Sequence, residues 1–296
     1  MQANIFKIEK KELDDGSGMV TRIYFKGCPL RCVSCSSPQY QNRPTQILWD
    51  SKRCLFCRLC EGNCPSKSLH FTGNSLHFQA DTCDACRICI RSCPSRALHF
   101  VGKMMELDEI TDMLLADQNL YGAGGVFLTG GDALMQPEFA AALLKVCREH
   151  GIHTCVDTTG FSQPLAFAKI LAHTDHLFLN IKHYSEKKHV QFTGVSNQTI
   201  LENLNFAIAA GIAVTVRITI TPGLNDTFCD AQKFAQLLKE HRVERVFLSV
   251  YSQEFARKYE DICQSAPHFC SSLTPGFLEK YADVIRGYGL DVVIGV

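Results

Sequence analysis

Eleven of the sixteen cysteines in this chain of 296 residues fall between Cys28 and Cys93, and their spacing points to metal chemistry. Cys54-x2-Cys57-x2-Cys60-x3-Cys64 runs straight into Pro65, and Cys83-x2-Cys86-x2-Cys89-x3-Cys93 into Pro94. The two copies agree beyond their thiols: Pro65-Ser-Lys-Ser-Leu-His-Phe71 matches Pro94-Ser-Arg-Ala-Leu-His-Phe100. Two residues between ligands let consecutive thiolates wrap one iron–sulfur cube while backbone N–H groups point at its sulfurs, and the proline closes the loop. Zinc is the alternative, but it takes four ligands per site and usually shows paired Cys-x2-Cys units. A further run, Cys28-x3-Cys32-x2-Cys35, has no fourth cysteine nearby. Three thiolates can hold three irons of a cube and leave the fourth iron open to a substrate, as a catalytic zinc keeps one open position. Taken alone, this loop also reads as a zinc knuckle or a redox thiol group.

The rest of the chain must position these loops. Hydrophobic residues are 46% and charged residues 20%, so a chain of this length can bury a full core. Lys+Arg 30 balances Asp+Glu 30, which gives no electrostatic reason to expect nucleic acid or an anionic membrane as partner. No apolar run approaches the ~20 residues of a membrane helix. Met1 to Lys11 is mixed and charged and lacks the apolar core of a signal peptide. A soluble, cytoplasmic chain is expected, and its cysteines are expected to bind metal rather than pair as disulfides. A short strand is predicted over Thr21–Phe25, leading into the loop Gly27–Pro38. From Met105 onward strands and helices alternate. Helices are predicted at Leu107–Leu115, Pro137–Glu149, Pro164–Leu171, Thr199–Ala210, Asp230–His241 and Pro275–Tyr288. Strands are predicted at Gly125–Leu128, His153–Thr158, Leu177–Lys182, Ala213–Ile220, Val246–Tyr251 and Asp291–Ile294. This alternation argues an α/β chain with a parallel sheet covered by helices, either an open β/α barrel of six or seven units or a doubly wound sheet. In both, functional residues sit at the C-terminal ends of strands. Cys28, Gly130-Gly131-Asp132, Asp157, Lys182, Arg217 and Tyr251 fall there.

The duplicated run resembles that of bacterial two-cluster ferredoxins, in which three cysteines of one run are joined by the fourth of the other. On that rule one cluster takes Cys54, Cys57, Cys60 and Cys93, and its neighbour takes Cys83, Cys86, Cys89 and Cys64. The whole chain, in order, resembles a radical S-adenosylmethionine (SAM) enzyme of the glycyl-radical-enzyme activating subgroup, akin to pyruvate formate-lyase activating enzyme with a double ferredoxin insert. The resemblance rests on the three-cysteine loop, the insert directly after it, and several phrases: Asp15-Gly-Ser-Gly18, Thr129-Gly-Gly-Asp132, Asp157-Thr-Thr-Gly160, Ile181-Lys182-His183, Phe192-Thr-Gly-Val195, Leu201-Glu-Asn203, and Val216-Arg217 with Pro222-Gly-Leu-Asn-Asp226.

The resemblance implies a partial (β/α)6-type radical SAM barrel: its start with the cluster loop at 1–47, a ferredoxin-like insert at 48–102, and the remainder at 103–296. It implies three 4Fe–4S clusters. Cys28, Cys32 and Cys35 would hold the catalytic one, whose open iron chelates SAM. The deoxyadenosyl radical released by reductive cleavage would take a hydrogen from a backbone glycine of a large partner enzyme. The insert clusters would relay electrons from a low-potential donor such as flavodoxin or ferredoxin, under anaerobic conditions. Gly130, Gly131 and Asp132 match a phrase that meets the SAM amino group; a tight turn with a helix-capping Asp132 is the plainer reading. Asp157 and Thr158 match a pair near SAM that can help bind a monovalent cation. Lys182 and Arg217 match strand-end cations of the SAM pocket. Asp15 to Gly18 matches a loop facing the partner's glycine, or is a surface turn. The remaining cysteines, Cys147, Cys155, Cys229, Cys263 and Cys270, show no ligand spacing, and Asn203 reads as a packing or capping residue.

The chain departs from that family in places. Ser17 replaces a proline. Ser34 replaces the aromatic residue before the third cysteine and weakens a contact with the adenine. Asp132 replaces a glutamate and is one methylene short for the SAM ammonium. Asn180 replaces an aspartate at the cation site. Tyr251 stands where a histidine is expected. None of these removes a cluster ligand. Two rival readings remain at this stage: a radical SAM enzyme acting on another peptide or a small molecule, and a non-catalytic electron-transfer protein.

Overall fold

The computed structural model describes residues 1–295 except 43–45, 85, 256–257, 260, 263–266, 268 and 270–272. Its main element is a nine-stranded sheet. β1 (Gln2–Glu12) and β2 (Met19–Phe25) form an antiparallel hairpin, and β7 (Lys103–Glu106) pairs antiparallel with the outer side of β1. From β2 the sheet continues in parallel through β8 (Gly125–Gly130), β9 (Thr154–Thr158), β10 (His176–Asn180), β11 (Ala213–Ile220), β12 (Arg245–Val250) and β13 (Asp291–Ile294). The crossovers are helical: α3 (Leu107–Ala116) before β8, then α4 (Pro137–Glu149), α5 (Pro164–Leu171), α6 (Glu186–Thr193), α7 (Gln198–Ala209), α8 (Phe228–Glu240) and α9 (Pro275–Arg286). The alternation seen in the sequence is thus a mostly parallel α/β sheet.

The core lies between sheet and helices. Val126, Leu128, Val156, Leu177, Leu179, Val216, Ile218, Val246 and Leu248 from the strands meet Leu143, Phe167, Leu204, Phe234 and Ile285 from the helices. Prolines at the first turns of α4, α5 and α9 suit positions whose N–H would go unused. A capping box at Thr227 and Asp230 starts α8. One cavity of about 760 Å³ is lined by residues from β2 across to Gly295 beyond β13. One cavity that draws its lining from the whole breadth of the sheet is consistent with a sheet curled as a partial barrel.

Residues 46–101 form a satellite with its own core of Ile47, Trp49, Leu69, Phe71, Leu76 and Leu98. β3 (Gln46–Trp49) pairs with β6 (Leu98–Val101), and β4 (Leu69–Thr72) with β5 (Ser75–Phe78). The sequence repeat is also a structural repeat. α1 (Leu59–Gly62) corresponds to α2 (Ile88–Arg91) and β4 to β6, and left-handed backbone recurs at Arg58 and Arg87 and again at Lys67 and Arg96. The expected boundary at 47/48 cuts through β3, whose Ile47 packs into the satellite core.

Candidate functional site

The cavity opens at the C-terminal ends of the parallel strands, and the loop after β2 forms one wall of it. Cys28, Cys32 and Cys35 all line it. The loop is held from several sides. Gly27 and Cys28 donate N–H bonds to the carbonyls of Tyr40 (2.8 Å) and Gln41 (2.9 Å). Arg31 and Val33 donate to Thr193 (2.7 Å) and Phe192 (2.9 Å), the last carbonyls of α6. Tyr259 donates its hydroxyl to the Cys35 carbonyl at 3.0 Å, and Lys258 its ammonium to that of Ser36 at 2.9 Å. Burial pushes all three thiols up, Cys32 to about 11 even with Lys182 pulling it down. Buried thiols of this kind ionise only beside a strong cationic partner such as iron.

Gly130 and Gly131 end β8 against the start of the cluster loop. Gly130 has φ +105°, and a Cβ there would meet the backbone of Phe25. A Cβ on Gly131 would overlap the carbonyl of Gly27. Only glycine allows that approach, and it brings the β8 terminus into the cavity beside Cys28.

Asp132 corrects an expectation. Its carboxylate is fully buried and does not line the cavity. Oδ1 accepts from Leu134 N (3.0 Å) and Thr158 Oγ1 (2.7 Å), and Oδ2 from Thr159 N (2.9 Å) and Thr159 Oγ1 (2.5 Å). The shorter side chain turns beneath the strand ends, caps the turn Ala133–Met135 and latches β8 to β9. Burial raises its carboxyl pKa against the pull of these four bonds.

A polar chain crosses the cavity floor. Asn180 on β10 donates to Asp157 Oδ1 at 2.6 Å and to the Thr158 carbonyl at 3.0 Å, and accepts from Lys182 Nζ at 3.0 Å. Asp157 Oδ2 accepts from Arg217 Nη1 at 2.7 Å and from Thr129 Oγ1 at 3.2 Å. The Arg217 guanidinium lies 4.9 Å from the Phe247 ring centroid. Arg217 is not at a strand end as expected. It lies inside β11, which runs past β10, and pairs there with Asn180, the last residue of β10. Lys182 lies two residues beyond β10 rather than within it. Both still reach the cavity, as do Thr158 and Ser34, whose Oγ lies 3.4 Å from that of Thr221.

Two expected positions lie elsewhere. Asp15 to Gly18 is the β1–β2 turn, at the opposite end of β2 from Cys28, about 23 Å away along the strand. There Ser17 donates through N (3.0 Å) and Oγ (2.6 Å) to Asp15 Oδ1. Tyr251 follows β12 but is buried beneath the cavity against Phe255 and Phe269, and its hydroxyl has no hydrogen-bond partner among the described residues. Lys258 and Tyr259 escaped the sequence reading, as did the contact that the end of α6 makes with the loop. The phrase Phe192-Thr-Gly-Val195 marked that end, and Gly194 indeed ends α6 in the left-handed conformation. Asn203 donates to the carbonyls of Gly160 (2.8 Å) and Ser162 (3.0 Å), as a packing and capping residue does. Cys147 is buried, with its thiol pushed up to about 12, and Cys229 is exposed. Cys263 and Cys270 lie outside the described residues.

In the satellite, the eight cysteines border two small cavities. Cys54, Cys57, Cys60 and Cys93 line one, and Cys64, Cys83, Cys86 and Cys89 line its neighbour. The fourth cysteine of each run therefore faces the other run's cavity. Backbone N–H groups of Ser68 and Ala97 donate to the sulfurs of Cys64 and Cys93, each at 3.3 Å. Burial raises these two thiols, but hydrogen bonds from Ser66 and Ser95 and from nearby amides outweigh it and hold them below the ordinary value. Among the described residues, no group of three or more His, Cys, Asp or Glu is placed to hold a single metal ion. The thiols surround spaces instead, which is what a cluster needs.

The Radical SAM superfamily model matches residues 83–238, just over half of the chain, starting at the second cysteine run and so leaving out the three-cysteine loop. The chain is 32% identical to the choline trimethylamine-lyase activating enzyme of Oleidesulfovibrio alaskensis, over 99% of this chain and 98% of that one. It is 31% identical to the trans-4-hydroxy-L-proline dehydratase activating enzyme of Clostridioides difficile, over 88% of each. In fold it is similar to a radical SAM methyltransferase from Sphaerobacter thermophilus, with a TM-score of 0.53 and 10% identity over 98% of this chain and 76% of that one. The resemblance that begins at the cysteine loop thus continues through nearly the full length of both chains, and this chain belongs to the radical SAM superfamily, among the activating enzymes of glycyl-radical enzymes.

Proposed function

We propose that Cys28, Cys32 and Cys35 hold a 4Fe–4S cluster with one iron left for SAM, and that the insert holds two more that feed it electrons. When bound, the catalytic cluster supplies one electron to the SAM sulfonium, giving methionine and a 5′-deoxyadenosyl radical that takes a hydrogen atom from a glycine of the partner enzyme. One observation carries this reading: three half-buried cysteines, joined by no fourth among the described residues that line the cavity, share it with glycine backbone, Asp157, Lys182 and Arg217. A volume near 760 Å³ is in the range of small-molecule sites. Lys182 and Lys258 bring positive charge to the mouth of the loop, where a carboxylate would be drawn. Gly130 and Gly131 let backbone approach the ligand, and Asp132 positions them from below. Ser34 leaves room where an aromatic ring would pack. In the insert, Cys54, Cys57, Cys60 and Cys93 would hold one cluster and Cys64, Cys83, Cys86 and Cys89 its neighbour.

The monovalent cation implied by the family resemblance would have a substitute here in the Asn180 amide, which stands where the family has a second carboxylate. Both carboxylate oxygens of Asp157 are engaged, and Arg217 already supplies a positive charge beside them.

We read the chain as a cytoplasmic enzyme of anaerobic metabolism; among the described residues no helix is long and apolar enough to cross a membrane. The test is made under anoxia on reconstituted, reduced protein with SAM. About twelve irons per chain and 5′-deoxyadenosine that disappears in Cys32→Ala are expected, from three cubane clusters. Full iron with no deoxyadenosine, even with a glycyl-radical partner added, would favour an electron carrier.

A further inference from the structure

The two cysteine runs are alike in ligation but differ in what surrounds them. Cys57 is exposed, whereas its counterpart Cys86 is only partly so. Beside Cys57, Leu55, Phe56 and Leu59 are 66%, 40% and 46% exposed. At the matching positions of the second run, Asp84 replaces Leu55 and the apolar Ile88 is half-buried. An apolar rim around an exposed cluster ligand costs solvation free energy in the isolated chain, and such rims mark surfaces that a partner covers. The fully exposed charge nearby is basic. Lys52, Arg53 and Arg58 are exposed there. The neighbouring acids, half-buried Asp50 and Glu61, are each held by local backbone: Asp50 accepts from Lys52 (3.0 Å) and Arg53 (3.3 Å), and Glu61 from Phe71 (2.9 Å).

We infer that this face, Leu55, Phe56 and Leu59 around Cys57 within a ring of Lys52, Arg53 and Arg58, is the docking site of a small acidic electron-carrier protein. The inference rests on the reading of the insert as a two-cluster unit. One electron passes from the reduced carrier, which is oxidised, to the cluster held by Cys54, Cys57, Cys60 and Cys93, which is reduced, and no bond is made or broken. Complementary charge steers the encounter, so the rate should fall steeply with salt. Among the described residues, the cavity shared by Cys64, Cys83, Cys86 and Cys89 has no such apolar rim, so it is not taken as the point of entry.

The test is stopped-flow reduction of the oxidised, reconstituted holoenzyme under anoxia, by a reduced acidic bacterial ferredoxin and, separately, by dithionite. Leu55→Asp, which copies the second run, and Arg53→Glu should each lower the bimolecular rate with ferredoxin about tenfold or more and flatten its salt dependence. Dithionite reduction and iron content should stay unchanged. Arg96→Glu, an exposed change on the second run, should leave both rates as in the wild type. Unchanged ferredoxin rates in Leu55→Asp and Arg53→Glu, or a loss confined to Arg96→Glu, would overturn the docking site. Iron for a single cube in the wild-type protein would instead sink the underlying reading of the insert.

Discussion

Asp157 shows how a few substitutions alter a binding floor without emptying it. An aspartate at 180 would place a second carboxylate beside Asp157 and call for a metal cation between them. The amide of Asn180 instead donates to Asp157 and accepts from Lys182, so it satisfies both neighbours. The ion pair with Arg217 is mostly shielded, the carboxylate side chain being 14% exposed, and a pair so placed is screened far less than a surface one. Deoxyadenosine formation should therefore be the same in potassium, sodium or bulky organic-cation buffers of equal ionic strength. Arg217→Gln should slow it about tenfold or more, since it removes the charge partner of a mostly shielded carboxylate, and should bring in a response to potassium. Potassium dependence in the wild type would refute the substitution. Asp132 makes a second residue-scale prediction. Asp132→Ala orphans the N–H groups of Leu134 and Thr159, and urea denaturation should show a loss of about 3–5 kcal/mol.

At the scale of elements, the segment that includes α6 does more than connect β10 to α7. His183, just before it, is fully buried against Tyr184, Phe192 and Phe234, and its Nδ1 accepts from Ser185 N at 2.9 Å. Burial and nearby Lys188 lower its pKa to about 4, with Asp230 opposing. Below pH 6.5 the unfolded chain therefore takes up a proton that the native state refuses until near pH 4. Stability should fall across that window, by roughly 3 kcal/mol, and be insensitive to this group above it. Thermal melts of His183→Asn should show a flatter acid limb; an unchanged limb would exclude the histidine as its source. The sequence made most strands and helices legible because a buried strand and an amphipathic helix differ in period. Ala213–Ile220 and Pro137–Glu149 match to the residue. α6 was hidden because Glu186-Lys-Lys-His-Val-Gln-Phe-Thr193 is polar and buries only His189 and Thr193. β1, the longest strand, was hidden by a register shift between Ile5 and Lys7, which breaks its alternation. In the site, cysteine spacing was legible because ligands lie close in sequence. The contacts of Lys258 and Tyr259 with the loop were not, since more than two hundred residues separate them.

For the molecule as a whole, the fourth cysteine of each run lines the other run's cavity, so on the proposed ligation the insert is one unit. Cys93→Ser, although it lies in the second run, should abolish the spectroscopic signature of the cluster held by Cys54, Cys57 and Cys60 and leave the neighbouring cluster in place. Loss of the second-run cluster instead would mean that each run closes on itself. The satellite needs little beyond itself: its core and both strand pairs lie within residues 46–101, and the backbone bond from Trp49 to Asp261 (2.7 Å) is a link to the far end of the chain. The three-cysteine loop, near the N-terminus, is the opposite case. Beyond the local bonds to Tyr40 and Gln41, its restraints come from Thr193, Phe192, Lys258 and Tyr259, all made much later in synthesis. On the ribosome the satellite can fold and take up iron while the thiols of Cys28, Cys32 and Cys35 still lie on an open hairpin. On the proposed assignment the SAM-binding centre would thus be the last to mature, and a chain cut short before α6 should hold the two insert clusters and no working third.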